Sequence, residues 1–114
     1  MVEERRRYKR LSGKFGIQID LPDDDGIPTV FEIGAIDNIS AAGILIRHDK
    51  PIDIGKILQV TFLSPNSFEV FKLDTRVLRV KPKPDQTYEI AVEYVDLSPE
   101  EEKRLDYFIT YGQS

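Results

Sequence analysis

The stretch FEVFKLDTRVLRV, residues 68–80, decides the fold, because it is long for one strand and its alternation changes partway along. Alternate positions in its first part share one phase: Phe71, Leu73, Thr75 and Val77. The next two hydrophobic residues, Leu78 and Val80, take the opposite phase. A phase slip inside a strand is what a β-bulge or a sharp bend produces, and closed sheets need such bends. The stretch therefore predicts a bent strand in a closed or strongly curved sheet.

Alternating hydrophobic residues on both sides of this stretch predict further strands, separated by turn-forming residues. These segments centre on residues 15–19, 30–33, 44–46, 58–62 and 90–94. The second segment is expected to be a short strand, because polar and small residues at 35–43 follow it. The pattern as a whole predicts six strands.

The end of the chain is predicted to be helical. The stretch Ser98-Pro99-Glu100-Glu101 combines a cap residue, a proline at the first helical position and a glutamate three residues after the cap. The hydrophobic residues that follow recur at helical spacing and should face the barrel: Leu105, Phe108 and Ile109. The predicted helix covers residues 99–110, give or take about 2–4 residues at each end.

These elements predict a mainly β fold: a small six-stranded antiparallel β-barrel with a C-terminal α-helix packed on its outside and a flexible basic N-terminal arm. At 114 residues the chain is expected to be a single domain. Its expected parts are the arm at 1–12, the barrel at 13–97 and the helix at 98–111.

Charge is unevenly distributed along the chain. Residues 1–10 carry five basic and two acidic side chains, whereas the whole chain has a net charge of −4. A basic arm on an acidic body argues against duplex DNA, which needs an extended basic face, and suits a small, compact anion. The chain has no cysteine, no apolar run long enough to span a membrane and no signal peptide, so a cytoplasmic protein without membrane insertion is expected.

Residue types that serve catalysis or metal binding are poorly represented. The one histidine, His48, stands in a polar, turn-like stretch and is expected to be solvated. One histidine without any cysteine does not make a zinc site, and no Gly-x-Ser-x-Gly elbow is present. The acidic runs at 23–25 and 100–102 are explained by a hairpin tip and a helix start. The chain is therefore interpreted as a binding protein, not an enzyme, with no metal and no cofactor.

The basic arm contains Arg6 and Arg10 in an Arg-x-x-x-Arg spacing, within the stretch RRYKR. A helical turn would place both guanidinium groups on one face, and an extended arm could wrap them around a ligand. The planar guanidinium can bind phosphate with two hydrogen bonds, pair with the edge of guanine or stack on a base. Taken alone, the arm is interpreted first as a solvated terminal charge run and next as a nucleic-acid-binding tail.

The stretch DNISAAG, residues 37–43, brings polar side chains and small residues together. Asn38 and Ser40 are two positions apart, so on an extended segment their side chains point to the same face. Gly43 allows a backbone turn, or a close backbone approach to a ligand, that a Cβ would prevent. The alternative is an ordinary turn held by hydrogen bonds from the Asn and Ser side chains.

The two stretches in this order, in a short β-rich chain that ends in a helix, resemble the PilZ domain family. The family pattern pairs an Arg-x-x-x-Arg arm with an (Asp/Asn)-x-Ser-x-x-Gly turn on a six-stranded barrel. Five residues of this chain match that pattern: Arg6, Arg10, Asn38, Ser40 and Gly43. The stretch YEIAVEYVDLSPEEEKRLDYFI at 88–109 is similar to the family's last strand, Leu-Ser link and terminal helix. The resemblance covers nearly the whole chain.

The resemblance implies a receptor for cyclic di-GMP, a small dianion with two guanines. It implies that Arg6 and Arg10 contact phosphates and guanine edges, and that Arg5 stacks on or flanks a base. PilZ domains often bind a self-intercalated dimer of this ligand, which would multiply the anionic charge that faces the arm.

The resemblance also implies that Asn38 and Ser40 hydrogen-bond a guanine and that Gly43 shapes the loop. Many members have aspartate where this chain has Asn38. A carboxylate can accept from both N1–H and N2–H of guanine, while an amide has a single acceptor oxygen. Weaker affinity is therefore expected here.

Ligand binding is expected to order the arm, because its charges repel one another and nothing apolar anchors residues 1–9. The arm would close over the barrel face that carries Asn38 and Ser40 and present a new surface to a downstream effector protein. Two alternatives stay open. The first is a PilZ-fold adaptor that binds proteins but no nucleotide. The second is a binder of single-stranded nucleic acid through the arm and exposed aromatic residues such as Tyr107 or Tyr111, which the acidic body disfavours.

Overall fold

The computed structural model describes three parts of the chain: residues 10–22, 28–64 and 69–111. Within them, side chains are described for residues 16–21, 34–64 and 69–111. Arg5 and Arg6 of the basic arm and the acidic run at 23–25 lie outside the described residues.

Six strands form a closed barrel, and a helix follows them. The elements in chain order are β1 Arg10–Pro22, β2 Pro28–Ser40, β3 Gly43–His48, β4 Ile57–Leu63, β5 Val70–Pro82, β6 Tyr88–Tyr94 and α1 Pro99–Tyr111. Around the barrel the order is β1-β2-β3-β6-β5-β4, and every neighbouring pair is antiparallel. The predicted mainly β barrel with a C-terminal helix is confirmed. Strand β1 begins at Arg10, three residues before the expected start of the barrel at 13.

Strand β5 is bent where its sequence predicts. The adjacent β6 residues Ala91 and Val92 pair with β5 residues that are two apart, Arg79 and Val77. Leu78 is therefore an extra residue in β5, a β-bulge. Alternate side chains are buried up to Val77, whereas Leu78 and Arg79 are both exposed. The bulge produces the phase slip and helps the strand curve around the barrel.

Strand β2 is longer than predicted, and the expectation of a break after a short second strand is wrong. The strand continues through residues 35–40 because a second bulge accommodates them. Ile36 and Asn38 pair with adjacent residues of β3, so Asp37 is the extra residue. The bulge resets the alternation, and both Ile36 and Ile39 are buried. Polar residues can therefore remain in the strand without entering the core.

The barrel interior is filled by inward-facing side chains from all six strands. Its hydrophobic members on the strands are Ile17, Ile19, Ile36, Ile39, Ile44, Ile46, Leu58, Val60, Phe62, Phe71, Leu73, Val77, Ile90 and Val92. Thr75 is a buried polar member of the same face, and its hydroxyl donates to the Leu58 carbonyl oxygen at 3.1 Å. The outer face carries most of the polar residues of the strands, together with a few exposed hydrophobic residues such as Val70 and Leu78.

Helix α1 covers the end of the barrel at which β4 and β5 are joined. The Phe108 ring centroid lies 5.9 Å from that of Phe62 and 5.4 Å from that of Phe71, and both of these rings belong to the barrel core. Leu105 and Ile109 are buried beside Phe108, as the helical spacing predicts. The helix therefore completes the core by sealing one end of it.

The helix begins at the predicted capping box. The Glu101 backbone N–H donates to Ser98 Oγ at 3.1 Å, and the Ser98 backbone N–H donates to Glu101 Oε1 at 3.4 Å. These bonds satisfy backbone groups that the start of a helix leaves unpaired. Across the described parts of the chain, no helix has the length and apolar character needed to cross a bilayer.

His48 is buried, so the expectation of a solvated histidine is wrong. It ends β3, pairs with Tyr88 of β6 and is 4% exposed. The alternation of β3 turns His48 inward, together with Ile44 and Ile46. Of the polar neighbours that suggested a turn, Asp49 and Lys50 come after the strand has ended, while Arg47 belongs to β3.

Candidate functional site

A groove on the outer face of the barrel runs across β2, β3, β6 and β5. Its volume is about 330 Å³. Four residues of the DNISAAG stretch line it, Asn38, Ser40, Ala42 and Gly43, and residues from further along the chain include Leu45, Arg79 and Ala91. The groove therefore combines one of the two sequence motifs with residues that no motif marks.

The bulge at Asp37 places Asn38 and Ser40 in this groove. Both side chains are half-buried on the outer face, while Ile39 between them is fully buried in the core. The two polar side chains share one face, as their spacing predicts. They can both reach a ligand that lies in the groove.

Ser40 and Gly43 flank the two-residue turn that joins β2 to β3. Ser40 Oγ accepts a hydrogen bond from the Ala42 backbone N–H at 3.1 Å. This is the local bond expected of an ordinary serine turn. It uses one acceptor site of the hydroxyl, so the Ser40 hydroxyl hydrogen can still be donated to a ligand.

Tyr94, on the neighbouring strand β6, holds the same turn in place. Its hydroxyl donates to the Ser40 carbonyl oxygen at 2.7 Å and lies 3.4 Å from the Gly43 carbonyl oxygen. Burial raises the pKa of Tyr94 well above its ordinary value of 10.0. The hydroxyl therefore stays protonated, and remains a donor, at any physiological pH.

Gly43 is glycine because β6 lies against it. A Cβ at this position would collide with the carbonyl oxygen of Val92. The φ angle of Gly43 is outside the left-handed region, so the expected need for glycine in a turn is not the reason for it. The close approach at Gly43 is to the Val92 backbone of β6, whereas the approach that the sequence suggested, to a ligand, stays a prediction.

An ion-pair network lies beside the groove. Arg47 Nη2 is 3.0 Å from Asp37 Oδ2, and Arg47 Nη1 is 3.3 Å from Asp85 Oδ2. Hydrogen bonds from Thr87 lower the pKa of the Asp85 carboxyl, and the Arg47 charge adds to this effect. Because Arg47 compensates the carboxylate next to Asn38, an anion approaching the groove meets less repulsion.

Strand pairing joins the two sequence motifs. Arg10, the first residue of β1, pairs with Ser40, and Ser12 pairs with Asn38. Paired residues of antiparallel strands have Cα atoms about 5 Å apart. The base of the arm therefore starts beside the Asn38–Gly43 segment, although the two are far apart in sequence.

The predicted site residues fall into two groups. The structure brings Asn38, Ser40 and Gly43 together and attaches the Arg10 backbone to them. Arg5 and Arg6 lie outside the described residues. Among the residues that are described, no group of three or more His, Asp or Glu side chains is arranged to hold a metal ion.

Sequence reasoning missed two residues of the site, Tyr94 and Arg79. No local pattern marks Tyr94, because its hydroxyl contacts a residue 54 positions away. Arg79 had a usable signal, since it immediately follows the phase slip at Leu78. A bulge there turns the next side chain to the outer face.

The closed barrel, its terminal helix and the pairing of Arg10 with Ser40 beside the β2–β3 turn define the class of this protein. The chain belongs to the PilZ domain family, whose model matches residues 4–111. The match includes all six strands, the helix and both motifs.

Solved structures share the fold. The inhibitor of motility MotI/DgrA from Bacillus subtilis is 21% identical with a TM-score of 0.75, and the alignment covers 97% of this chain and 52% of that one. The PilZ domain of YcgR from Escherichia coli, solved with c-di-GMP, is 18% identical with a TM-score of 0.68, at 94% and 90% coverage. The MrkH–c-di-GMP complex from K. pneumonia is 15% identical with a TM-score of 0.69, at 96% and 52% coverage.

This chain spans about half the length of the MotI and MrkH chains and nearly the whole of the YcgR PilZ domain. At these identities the likeness establishes the fold. No curated protein matches the sequence.

Proposed function

We propose that this protein is a receptor for cyclic di-GMP that signals to a partner protein in the cytoplasm and catalyses no reaction. The pairing of Arg10 with Ser40 carries the proposal, because it attaches the Arg-x-x-x-Arg arm to the groove that holds Asn38 and Ser40. Membership of the PilZ family and the c-di-GMP in the YcgR and MrkH structures support it.

In the proposed complex the arm supplies the positive charge and the groove supplies the polar contacts. Arg6 and Arg10 bind phosphates and guanine edges through their planar guanidinium groups, with Arg5 flanking a base. Asn38 accepts a hydrogen bond from a guanine through its amide oxygen, and Ser40 donates its hydroxyl hydrogen.

Calorimetric titration of the full chain with cyclic di-GMP tests this function. The wild type is expected to bind, and Arg10→Ala is expected to bind more than about tenfold more weakly, because a charge-assisted contact is lost. Arg7→Ala is the matched control, since it removes the same charge from the arm outside the Arg-x-x-x-Arg spacing. Absence of heat at high micromolar ligand would contradict the receptor function, and equal losses for the two variants would place the contact elsewhere.

We also propose that the arm closes over the groove when the ligand binds and that the closed arm is what the partner protein recognises. Trypsin cleaves after arginine and lysine, so the arm contains its own reporter sites at residues 5–10. Saturating cyclic di-GMP is expected to slow cleavage within the arm while cleavage at Lys72 and Lys103 on the barrel and helix is unchanged. A cleavage pattern that is identical with and without bound ligand would contradict arm closure.

A further inference from the structure

A row of four paired residues crosses the floor of the groove. Asn38 pairs with Leu45, Leu45 with Ala91, and Ala91 with Arg79. Neighbouring strands are about 4.8 Å apart, so the path from Asn38 to Arg79 along the curved sheet is roughly 14 Å. The groove thus has one end on β2 and the other on β5.

The two residues in the middle of this row are apolar and form the floor of the groove. Leu45 and Ala91 both face outward on their strands and line the groove. The methyl group of Ala91 leaves space above β6 that a longer side chain would fill. A planar, uncharged ring can lie on this floor, while its polar edges and charged groups reach the two ends.

The far end of the groove is formed by Arg79, and the bulge in β5 is what exposes it. Regular alternation after the buried Val77 would turn Leu78 outward and Arg79 inward. Because Leu78 is an extra residue, Arg79 stays on the outer face and lines the groove. The positive charge therefore faces the ligand space.

Arg79 also differs from the other described arginines in its partners. Arg47 pairs with Asp37, Arg76 pairs with Glu93 at 3.2 Å, and Arg104 pairs with Glu69 at 2.7 Å. Within the described residues Arg79 has no carboxylate partner. An exposed guanidinium that no internal carboxylate neutralises keeps its full charge and all its donors for a ligand.

We propose that Arg79 is a further ligand-binding residue, which holds a phosphate or a guanine edge at the end of the groove opposite Asn38. The inference rests on the proposed function, because it assigns Arg79 to the same cyclic dinucleotide. It also gives the site a length requirement: only a ligand with polar groups at both ends spans the row from Asn38 to Arg79.

Titration of cyclic di-GMP into the full-length Arg79→Gln variant tests the assignment. We expect about a tenfold loss of affinity, as removal of a charge-assisted hydrogen bond produces. The matched control is Lys72→Gln, which removes one exposed positive charge from the same strand outside the groove. This control is expected to bind within about twofold of the wild type, because exposed charges at a distance are screened by salt.

The possible outcomes separate the role of Arg79 from the proposed function. A wild type that binds, with Arg79→Gln no weaker than Lys72→Gln, would overturn the role of Arg79 and leave the receptor function intact. A wild type that does not bind cyclic di-GMP would overturn both. Because Arg79 is exposed and has no described partner, its substitution should leave the melting temperature unchanged, and thermal denaturation checks this.

Discussion

Tyr94 holds the turn that joins Ser40 to Gly43, although its side chain does not line the groove. Its hydroxyl bridges the carbonyl oxygens of Ser40 and Gly43 from a different strand. The other side-chain hydrogen bond described at this turn, from the Ala42 N–H to Ser40 Oγ, is local and exposed. We therefore expect Tyr94 to act on ligand affinity by positioning Ser40.

The substitution Tyr94→Phe is expected to reduce stability by about 1 kcal/mol and to weaken cyclic di-GMP binding by about fivefold, because one hydrogen bond is lost and the turn loosens. Urea denaturation and calorimetry measure the two effects. Tyr88→Phe, on the same strand, is the control and should change neither. Reduced stability with unchanged affinity would show that Tyr94 supports the fold and does not position the site.

Asn38 occupies a motif position that the family pattern fills with either aspartate or asparagine. The Asn38→Asp variant would supply two acceptor oxygens to the guanine N1–H and N2–H, whereas the amide supplies one. We expect cyclic di-GMP to bind about fivefold more tightly, as a charged acceptor strengthens both bonds. Calorimetry on the variant measures this. Weaker binding would mean that repulsion from the ligand's phosphates outweighs the added acceptor.

At the scale of elements, two bulges on different strands build one surface. Asp37 is the extra residue of β2 and Leu78 is the extra residue of β5, and each is followed by a residue of the cross-strand row, Asn38 and Arg79. Each bulge lets the apolar residues before and after it face inward, with Val80 only partly buried, and turns the following polar side chain outward. These two bulges shape the groove, and they add to the curvature of a barrel whose β1–β2 pairing has register shifts of its own.

The contact between β3 and β6 depends on the absence of a side chain at Gly43. Gly43→Ala would drive its Cβ against the Val92 carbonyl, and overpacking of this kind costs about 1–3 kcal/mol. Gly16→Ala on β1 is the matched control, since no atom lies within 4 Å of the added Cβ there. Urea denaturation should show a loss for Gly43→Ala and none for Gly16→Ala. Equal effects would mean that backbone freedom, not the close strand contact, requires glycine at 43.

At the scale of the whole molecule, the arm has a net positive charge and the rest of the chain a net negative charge. The five basic residues near the start of the chain contrast with a net charge of −4 for the whole, and the arm begins where β1 pairs with the groove. In the proposed complex a small dianion lies between the arm and the groove, with Arg79 facing it from the other side. A long polyanion would have to pass over the acidic body, which repels it.

Ligand binding to the folded chain should raise its apparent stability. At a cyclic di-GMP concentration 100 times the Kd, the gain is about 2.7 kcal/mol, which corresponds to a rise in Tm of roughly 10 °C for a domain of this size. Differential scanning fluorimetry measures the shift. Arg10→Ala at the same ligand concentration should show a clearly smaller one. No shift for the wild type at saturating ligand would contradict specific binding to the folded state.

The sequence predicted the fold to a large extent, because the relevant signals are local. The phase slip at Leu78 predicted the bulge in β5, and the Ser98 capping box predicted the start of the helix. The spacing of Asn38 and Ser40 predicted that they share a face. Each of these features is decided by backbone geometry within a few residues, so a single chain segment contains the information.

Only the tertiary structure decided how these segments combine. The sequence did not show that β2 continues through Asp37, that His48 is buried, or that Tyr94 supports the Ser40 turn. Each of these depends on a partner on another strand, and pairing between strands is set by register around the closed barrel. The same register places Arg10 beside Ser40 and aligns Asn38 with Arg79 across four strands, because closure of the barrel fixes which residues of distant segments are neighbours.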